Sequence, residues 1–442
     1  MPKTLETYDR YAADFERLRH SGPDWLRDLR RSAFDRFQEL GFPVARKGNE
    51  AWKYTDARPF AVTAFEYSQP QPTRRTSGFR LNALLPFDDG FARIAVVDGL
   101  FAPEYSTGLD FSGLQAMSLT EAIDKEPRIV QRHLANHALW RDDAFTALNT
   151  AFIHDGVFIH VKEPIQQPVH IVYVTATNES VVTHPRTLIV SAPNSHLTFI
   201  ETYLSNGDRR HFTNAVTEIA IGDGASAEHY RLLLENHEAF HVGSTRVHHG
   251  RDSSYSAVSY ITGGGLVRHD LGVLLSEPGS SAKVNGLYIT SGDQHVDNMI
   301  NIDHAAAHTT SRLSYKGILD DRSHAVFGGT VFVREGADKT DAHQEDKNLL
   351  LSREAEVDSK PALEIYADDV KAGHGATAGA IADEALFYMR SRGLDEDTAM
   401  QLLVRGFAAE IIDKVSIDPL REWLEERTLD ALPRFRREEA VV

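Results

Sequence analysis

The chain has 442 residues, long enough for two to four domains and a large core. Hydrophobic residues make up 42% and charged residues 25%, a globular composition rather than a disordered, collagenous or low-complexity one. Acidic residues outnumber basic ones by 64 to 47, a balance that repels a phosphate backbone, and the absence of Cys removes disulfides, thiolate nucleophiles and all-Cys metal sites.

The opening MPKTLETYDRYAADFERLRH carries both charge signs and lacks the apolar core of a signal peptide, and no run of about 18 apolar residues occurs. The expectation is a soluble cytoplasmic chain with no membrane and no nucleic-acid partner. Leu26, Leu29, Ala33, Phe37 and Leu40 then fall on one face between Pro23 and the stop signals Gly41 and Pro43, which predicts a docking helix. SQPQPTRRTSG, Ser68 to Gly78, reads as a linker. The division that follows is an N-terminal helical domain and linker over 1–78, a β section over 79–375 and a helical domain over 376–442.

From about Phe91 to about Val370 the period is two, with runs such as VFIHV, VHIVYV, TLIVS, HLTFIE and AVTEIAI bounded by Gly, Pro and Asn. Within it an apolar anchor is followed four residues later by a small turn residue: Val190 to Asn194, Ala220 to Gly224, Leu275 to Gly279, Phe332 to Gly336 and Leu351 to Ala355. The intervals between units, 30, 55, 57 and 19 residues, predict stacked β coils with insertions of varying length. A β-solenoid and a large β-sandwich both suit this pattern. The solenoid better explains so much strand without a helical layer.

Helical signals return after HGATAG. Ala380 to Arg390 form one candidate, stopped by Gly393; Asp395 caps a second with the stripe Leu403, Phe407, Ile411 and Val415; Asp418 caps a third with Pro419 at its first position.

With 21 His, chance metal motifs are expected. His295 and Asp297 share one strand face and, joined by His343, would form the two-His, one-carboxylate set of a non-haem iron oxygenase, with Arg353 for a 2-oxoacid carboxylate. This is the alternative enzyme reading. His304 and His308 lack the intervening Glu of a zincin and read as structural, while His248 and His249 point to opposite strand faces. Gly263 to Gly265 lack a following Lys-Ser/Thr and read as a loop, and the basic clusters Arg74-Arg75, Arg209-Arg210 and Arg434 to Arg437 read as solvated loops or a tail. His374, between Gly373 and Gly375 where the β section hands over to the helices, reads equally as an incidental turn residue or as an imidazole presented to a metal or to another chain.

NEAWKYTD (Asn49 to Asp56), ALNTAFIHDGVFIHV (Ala147 to Val161), PRTLIV, FTNAVTEI, SYKGIL, KTDAHQEDKNLLLS, KPALEIYADDVKAGHGATAG and EALFYMRSRGL together resemble the SufB/SufD family of iron–sulfur cluster assembly proteins. The resemblance implies a right-handed parallel β-helix core flanked by helical N- and C-terminal domains. It implies a non-catalytic scaffold that pairs with a SufB-type subunit through β-helix edges and docks an ABC-type ATPase, SufC, on its C-terminal helices, with Glu384, Phe387, Tyr388, Arg390 and Arg392 on the docking helix. SufB-type subunits are expected to carry a thiolate ligand, so this Cys-free chain falls on the other side of the family. His374 matches the HGAT histidine proposed as a cluster-assembly ligand. No cofactor is then held stably by this chain alone, a transient iron–sulfur cluster forms at the interface, and a homodimer of the isolated chain stays open. Many relatives read Lys-Cys-Ser-His-Gly where this chain has Lys371-Ala372-Gly373-His374-Gly375, which leaves imidazole or carboxylate as its contribution.

Overall fold

Alternation of apolar and polar residues from Arg186 to Gly379 folds into strands that switch between two parallel sheets, each pair of strands making one coil of a β-solenoid of about seven turns. The computed structural model describes residues 2–45, 49–68, 80–87 and 90–433; most of the expected linker, Arg74-Arg75 and Arg434 to Arg437 lie outside them. The first sheet stacks Arg186–Ser191, Phe212–Ile221, Phe240–His249, Leu266–Leu275, His295–His304, His324–Val333 and Glu356–Ile365. The second stacks His196–Ser205, Ser226–Leu233, Ser254–Ile261, Ser281–Thr290, Thr310–Leu319, Thr340–Leu350 and Val370–Gly379. Inside, β-branched residues form columns, for example Ile189, Ile219, Val247, Val273, Ile302 and Val331, all buried and one above another.

The coils are regular. Phe212, Phe240, Leu266, His295, His324 and Glu356 stack in register, so one coil takes 26 to 32 residues. This corrects the expectation of irregular insertions. One corner repeats a left-handed residue at Asn194, Gly224, Asp252, Gly279, His308 and Lys339, with φ between 53° and 76°. Successive corners are linked by backbone bonds, as from the Asn194 amide to the Asp223 carbonyl (2.8 Å) and from the His308 amide to the Asp338 carbonyl (2.8 Å). The intervals of 55 and 57 residues therefore each span two coils, and Leu351 to Ala355 belongs to the opposite corner.

Helices cover part of both outer faces. The helix Asp24–Leu40 runs between Pro23 and a left-handed Gly41, and buries Ala33, Phe34 and Phe37 in an aromatic layer with Phe145, Phe212 and Phe240 over the first sheet. Three short helices, Leu119–Lys125, Pro127–His133 and Ala144–Ala151, lie within the β section and extend this cover. On the second sheet sit Glu396–Ile412 and Asp418–Asp430, with Val404, Ala408, Ile411 and Leu420 against Tyr230, Val258, Tyr260 and Leu287. Asp395 caps the first of these, accepting from the Thr398 amide at 2.9 Å. Of the expected stripe Ile411 and Val415 are buried, whereas Leu403 and Phe407 are half-buried and Val404 and Ala408 beside them face the sheet instead. Ile417, not Asp418, is the cap of the last helix, and the first C-terminal helix begins at Asp383 rather than Ala380.

The two ends of the solenoid differ. At the N-terminal end antiparallel strands, Leu114–Ser118 on Val157–Val161 and Leu100–Phe101 on Ala92–Val97, close the sheets. At the other end, among the described residues, Glu356–Ile365 and Val370–Gly379 each have one sheet neighbour, and their outer backbone edges stay open.

Candidate functional site

The open coil holds His374. It lies in the middle of Val370–Gly379 rather than in a turn, and neither flanking glycine has a left-handed backbone. The expectation of a hand-over turn is corrected: the strand runs on to Gly379 and the next helix starts at Asp383. A Cβ at Gly373 would come 3.3 Å from the His343 Nδ1, so this glycine allows a close approach between the last two coils. Register pairs His374 with Gln344, and therefore turns its side chain to the inward face, where the lack of a further coil leaves it exposed.

Beneath it lies a polar floor. The Gln344 Nε2 donates to the Ala362 carbonyl (2.9 Å) and stands 3.5 Å from the His374 Nδ1. Asp346, fully buried, accepts through Oδ2 from the Ser359 hydroxyl (2.6 Å) and the Asn348 amide (2.8 Å). Burial pushes its carboxyl up to about 6, against the downward pull of those two bonds. Gln344 and Asp346 were not singled out from sequence. The signal was there: Gln344, Asp346 and Asn348 share the strand parity of Ala342, placing three polar side chains where an apolar core is expected.

The oxygenase constellation does not assemble. His295 and Asp297 do share a strand face, but it is the outer face of the first sheet, under the segment Asn49 to Asp56. The Thr55 hydroxyl stands 2.9 Å from the His295 Nε2 and donates to the Asp297 Oδ2 (2.5 Å), Arg268 binds the same carboxylate, and the Arg268 guanidinium lies 3.9 Å over the Trp52 ring. Burial, with His324 and Arg268 nearby, holds the His295 imidazole down at about 3. His343 sits on the outer face of the other sheet, half exposed, 3.2 Å from the Asp341 Oδ1, and Arg353 is exposed in the loop after Leu350. Among the described residues no group of three or more His, Asp and Glu is placed to hold a metal ion.

The other singled-out residues are structural. His304 is buried between the hydroxyls of Thr309 and Ser311, and His308 is a corner residue. His249 faces inward to Ser253 while His248 faces out. At Gly263 a Cβ would lie 2.2 Å from the Glu235 carbonyl, so the triple glycine serves close packing of a turn.

The helix Asp383–Ser391 buries none of its residues. Phe387 is 74% and Tyr388 59% exposed, the Arg392 guanidinium lies over the Tyr388 ring, Arg390 pairs with Glu396 at 3.1 Å, and Glu384 faces solvent. Among the described residues no helix is long and apolar enough to cross a membrane.

This exposed aromatic helix follows the last coil of the solenoid in the chain. Residues 173–407 match the family described as SUF system FeS cluster assembly, SufBD core domain, and residues 2–171 match the SufBD protein N-terminal region. The iron–sulfur cluster assembly protein SufD of Escherichia coli is 31% identical over 404 residues, covering 89% of this chain and 90% of that protein. A SufBD family protein of Synechocystis is 30% identical, covering 91% and 90%, and SufD of Bacillus subtilis is 25% identical, covering 92% and 94%. With both matched regions joined in one solenoid and similarity running nearly end to end, the chain belongs to the SufBD family of iron–sulfur cluster assembly proteins.

Proposed function

We propose that this chain is the thiolate-free scaffold subunit of an iron–sulfur cluster assembly complex, without catalysis of its own and working in the cytoplasm. It pairs through its open last coil with a SufB-like subunit and carries a SufC-like ABC ATPase on the helix Asp383–Ser391. The observation that supports this reading best is the uncovered final coil. Two ten-residue strands with free backbone edges are the form of sheet end that another chain covers, and His374 stands at their mouth. The imidazole is the ligand this subunit offers to a cluster that forms transiently at the interface. Three or four thiolates normally anchor such clusters, so the isolated chain holds none stably.

The test is the His374→Ala complex, purified with both partners. Exposed as it is, the residue should cost less than about 0.5 kcal/mol of stability. The complex should form and hydrolyse ATP yet accumulate less iron and sulfide, whereas His343→Ala, on the outer face, should retain wild-type content. Normal cluster content in His374→Ala would remove the role, and failure to assemble would make the residue structural. Anaerobic reconstitution of the isolated chain should leave no cluster absorbance after desalting; a stable stoichiometric chromophore would contradict the scaffold reading.

A further inference from the structure

One carboxylate at the open end is not explained by packing. Asp346 lies one coil in from the mouth, fully buried, on the inward face of Thr340–Leu350. Among the described residues its Oδ2 accepts two hydrogen bonds while its Oδ1 accepts none, and the Oε1 of the adjacent inward-facing Gln344 accepts none either. Among the described residues no cation pairs with Asp346. A charge removed from water in this way is expensive unless something else satisfies it.

The rim above this floor is built small. By register Ala376 stacks over Asp346 and His374 over Gln344, and the other inward positions of the last strand are Val370, Ala372 and Ala378. The imidazole is the one polar side chain among them. Strand spacing and rise put the Cβ positions of His374 and Asp346, diagonal neighbours on one sheet face, about 8 Å apart, within joint reach of a single ion. Imidazole nitrogen with carboxylate and amide oxygens is a donor set that suits ferrous iron and has no affinity for sulfide.

We infer that Asp346 is a second ligand to the iron of the nascent cluster, presented together with His374 at the mouth of the solenoid, the remaining coordination positions being filled by sulfide and by groups of the SufB-like subunit. This rests on the reading above that the open end is the assembly face. Gln344, whose Nε2 stands 3.5 Å from the His374 Nδ1, is the neighbour that holds the imidazole diagonally across from the carboxylate, and only the small Ala376 is stacked over Asp346.

The experiment loads the complete complex anaerobically with ferrous iron and sulfide and measures bound iron beside the melting temperature. Asp346→Asn keeps the acceptor for Ser359 and the volume of the side chain, so the complex should assemble and melt no lower than wild type while retaining at most half of its iron. Asp346→Glu, which restores a carboxylate, should recover part of the loss. If Asp346→Asn keeps full iron while His374→Ala is depleted, Asp346 is no ligand although the open-end reading stands. If both keep full iron, that reading itself fails. Failure of the Asp346→Asn complex to assemble would also overturn the inference, since it would make the carboxylate a structural element.

Discussion

Glu218 and Asp346 are both fully buried carboxylates in this solenoid, and their surroundings set them apart. Glu218, on the outer face of the first sheet, is bound by the equally buried Arg186 and accepts the amides of Ala135 (2.8 Å), His137 (3.0 Å) and Ala138 (2.9 Å). Burial pushes its carboxyl up, and Arg186 with the amides more than offsets this, leaving it below the usual range. Glu218→Ala strands a buried guanidinium and frees three amides, so urea unfolding should show a loss of about 3–5 kcal/mol; a loss under about 1 kcal/mol would mean that water takes over its role. Asp346 has the opposite sign. Its carboxyl is raised from 3.8 to about 6, so between those values the folded state binds more protons than the unfolded one, and stability falls as pH rises through that window. Above about pH 6 the full penalty applies, up to about 3 kcal/mol at 1.4 kcal/mol per unit. Asp346→Asn should be more stable than wild type at pH 8 and equal to it near pH 3.5, as followed by denaturant midpoints. Equal stability at both pH values would show that the buried carboxylate carries no strain.

Among the elements, those whose signal is local were legible in the sequence. The stripe from Leu26 to Leu40 with Pro23 and Gly41 at its ends gave one helix within a residue, and Asp395 capped another. The coil period was harder, because at two corners the anchor four residues before the turn is His248 or His304 instead of an apolar residue, and the left-handed position is filled by Asp252 or His308 instead of Gly or Asn. A histidine satisfied by Thr309 and Ser311 packs as core, which hydropathy does not reveal. Long-range cover was not legible either. The C-terminal stripe carries no mark of what it packs against: Val404, Ile411 and Leu420 bury the apolar outer face of the second sheet, and Lys316 reaches from that sheet to the Phe407 carbonyl (3.0 Å) and to Glu410 (2.7 Å). Removing residues 380–442 should therefore expose Tyr230, Val258 and Tyr260 and make the β section aggregate, so truncation is a poor probe of ATPase docking. The exposed helix permits a cleaner one. Phe387→Ala with Tyr388→Ala should leave the melting temperature of the isolated chain within about 2 °C, as for other surface changes, and should weaken ATPase association at least tenfold in a pull-down titration. Undiminished association would move the docking surface off this helix.

At the scale of the whole molecule the asymmetry of the two ends decides how the chain is used. A parallel solenoid has no intrinsic stop: each coil is a template for the next, and the last one exposes the same donors and acceptors that its predecessors pair. At the N-terminal end short antiparallel strands consume this edge. At the C-terminal end the inward side chains after Val370 shrink to alanines around one imidazole, and most of Val370–Gly379 is exposed. The outer edges of the two last strands should consequently be the least protected part of the solenoid. In hydrogen exchange of the isolated chain, amides of 356–365 and 370–379 that point away from the preceding coil should exchange at least a hundredfold faster than those of Leu266–Leu275, which are paired on both sides. Adding the SufB-like subunit should slow these same amides and leave the corner loops unchanged. Protection that appears instead on the outer face of either sheet would place the partner on the helical covers and leave the open coil, with His374 and Asp346, facing solvent.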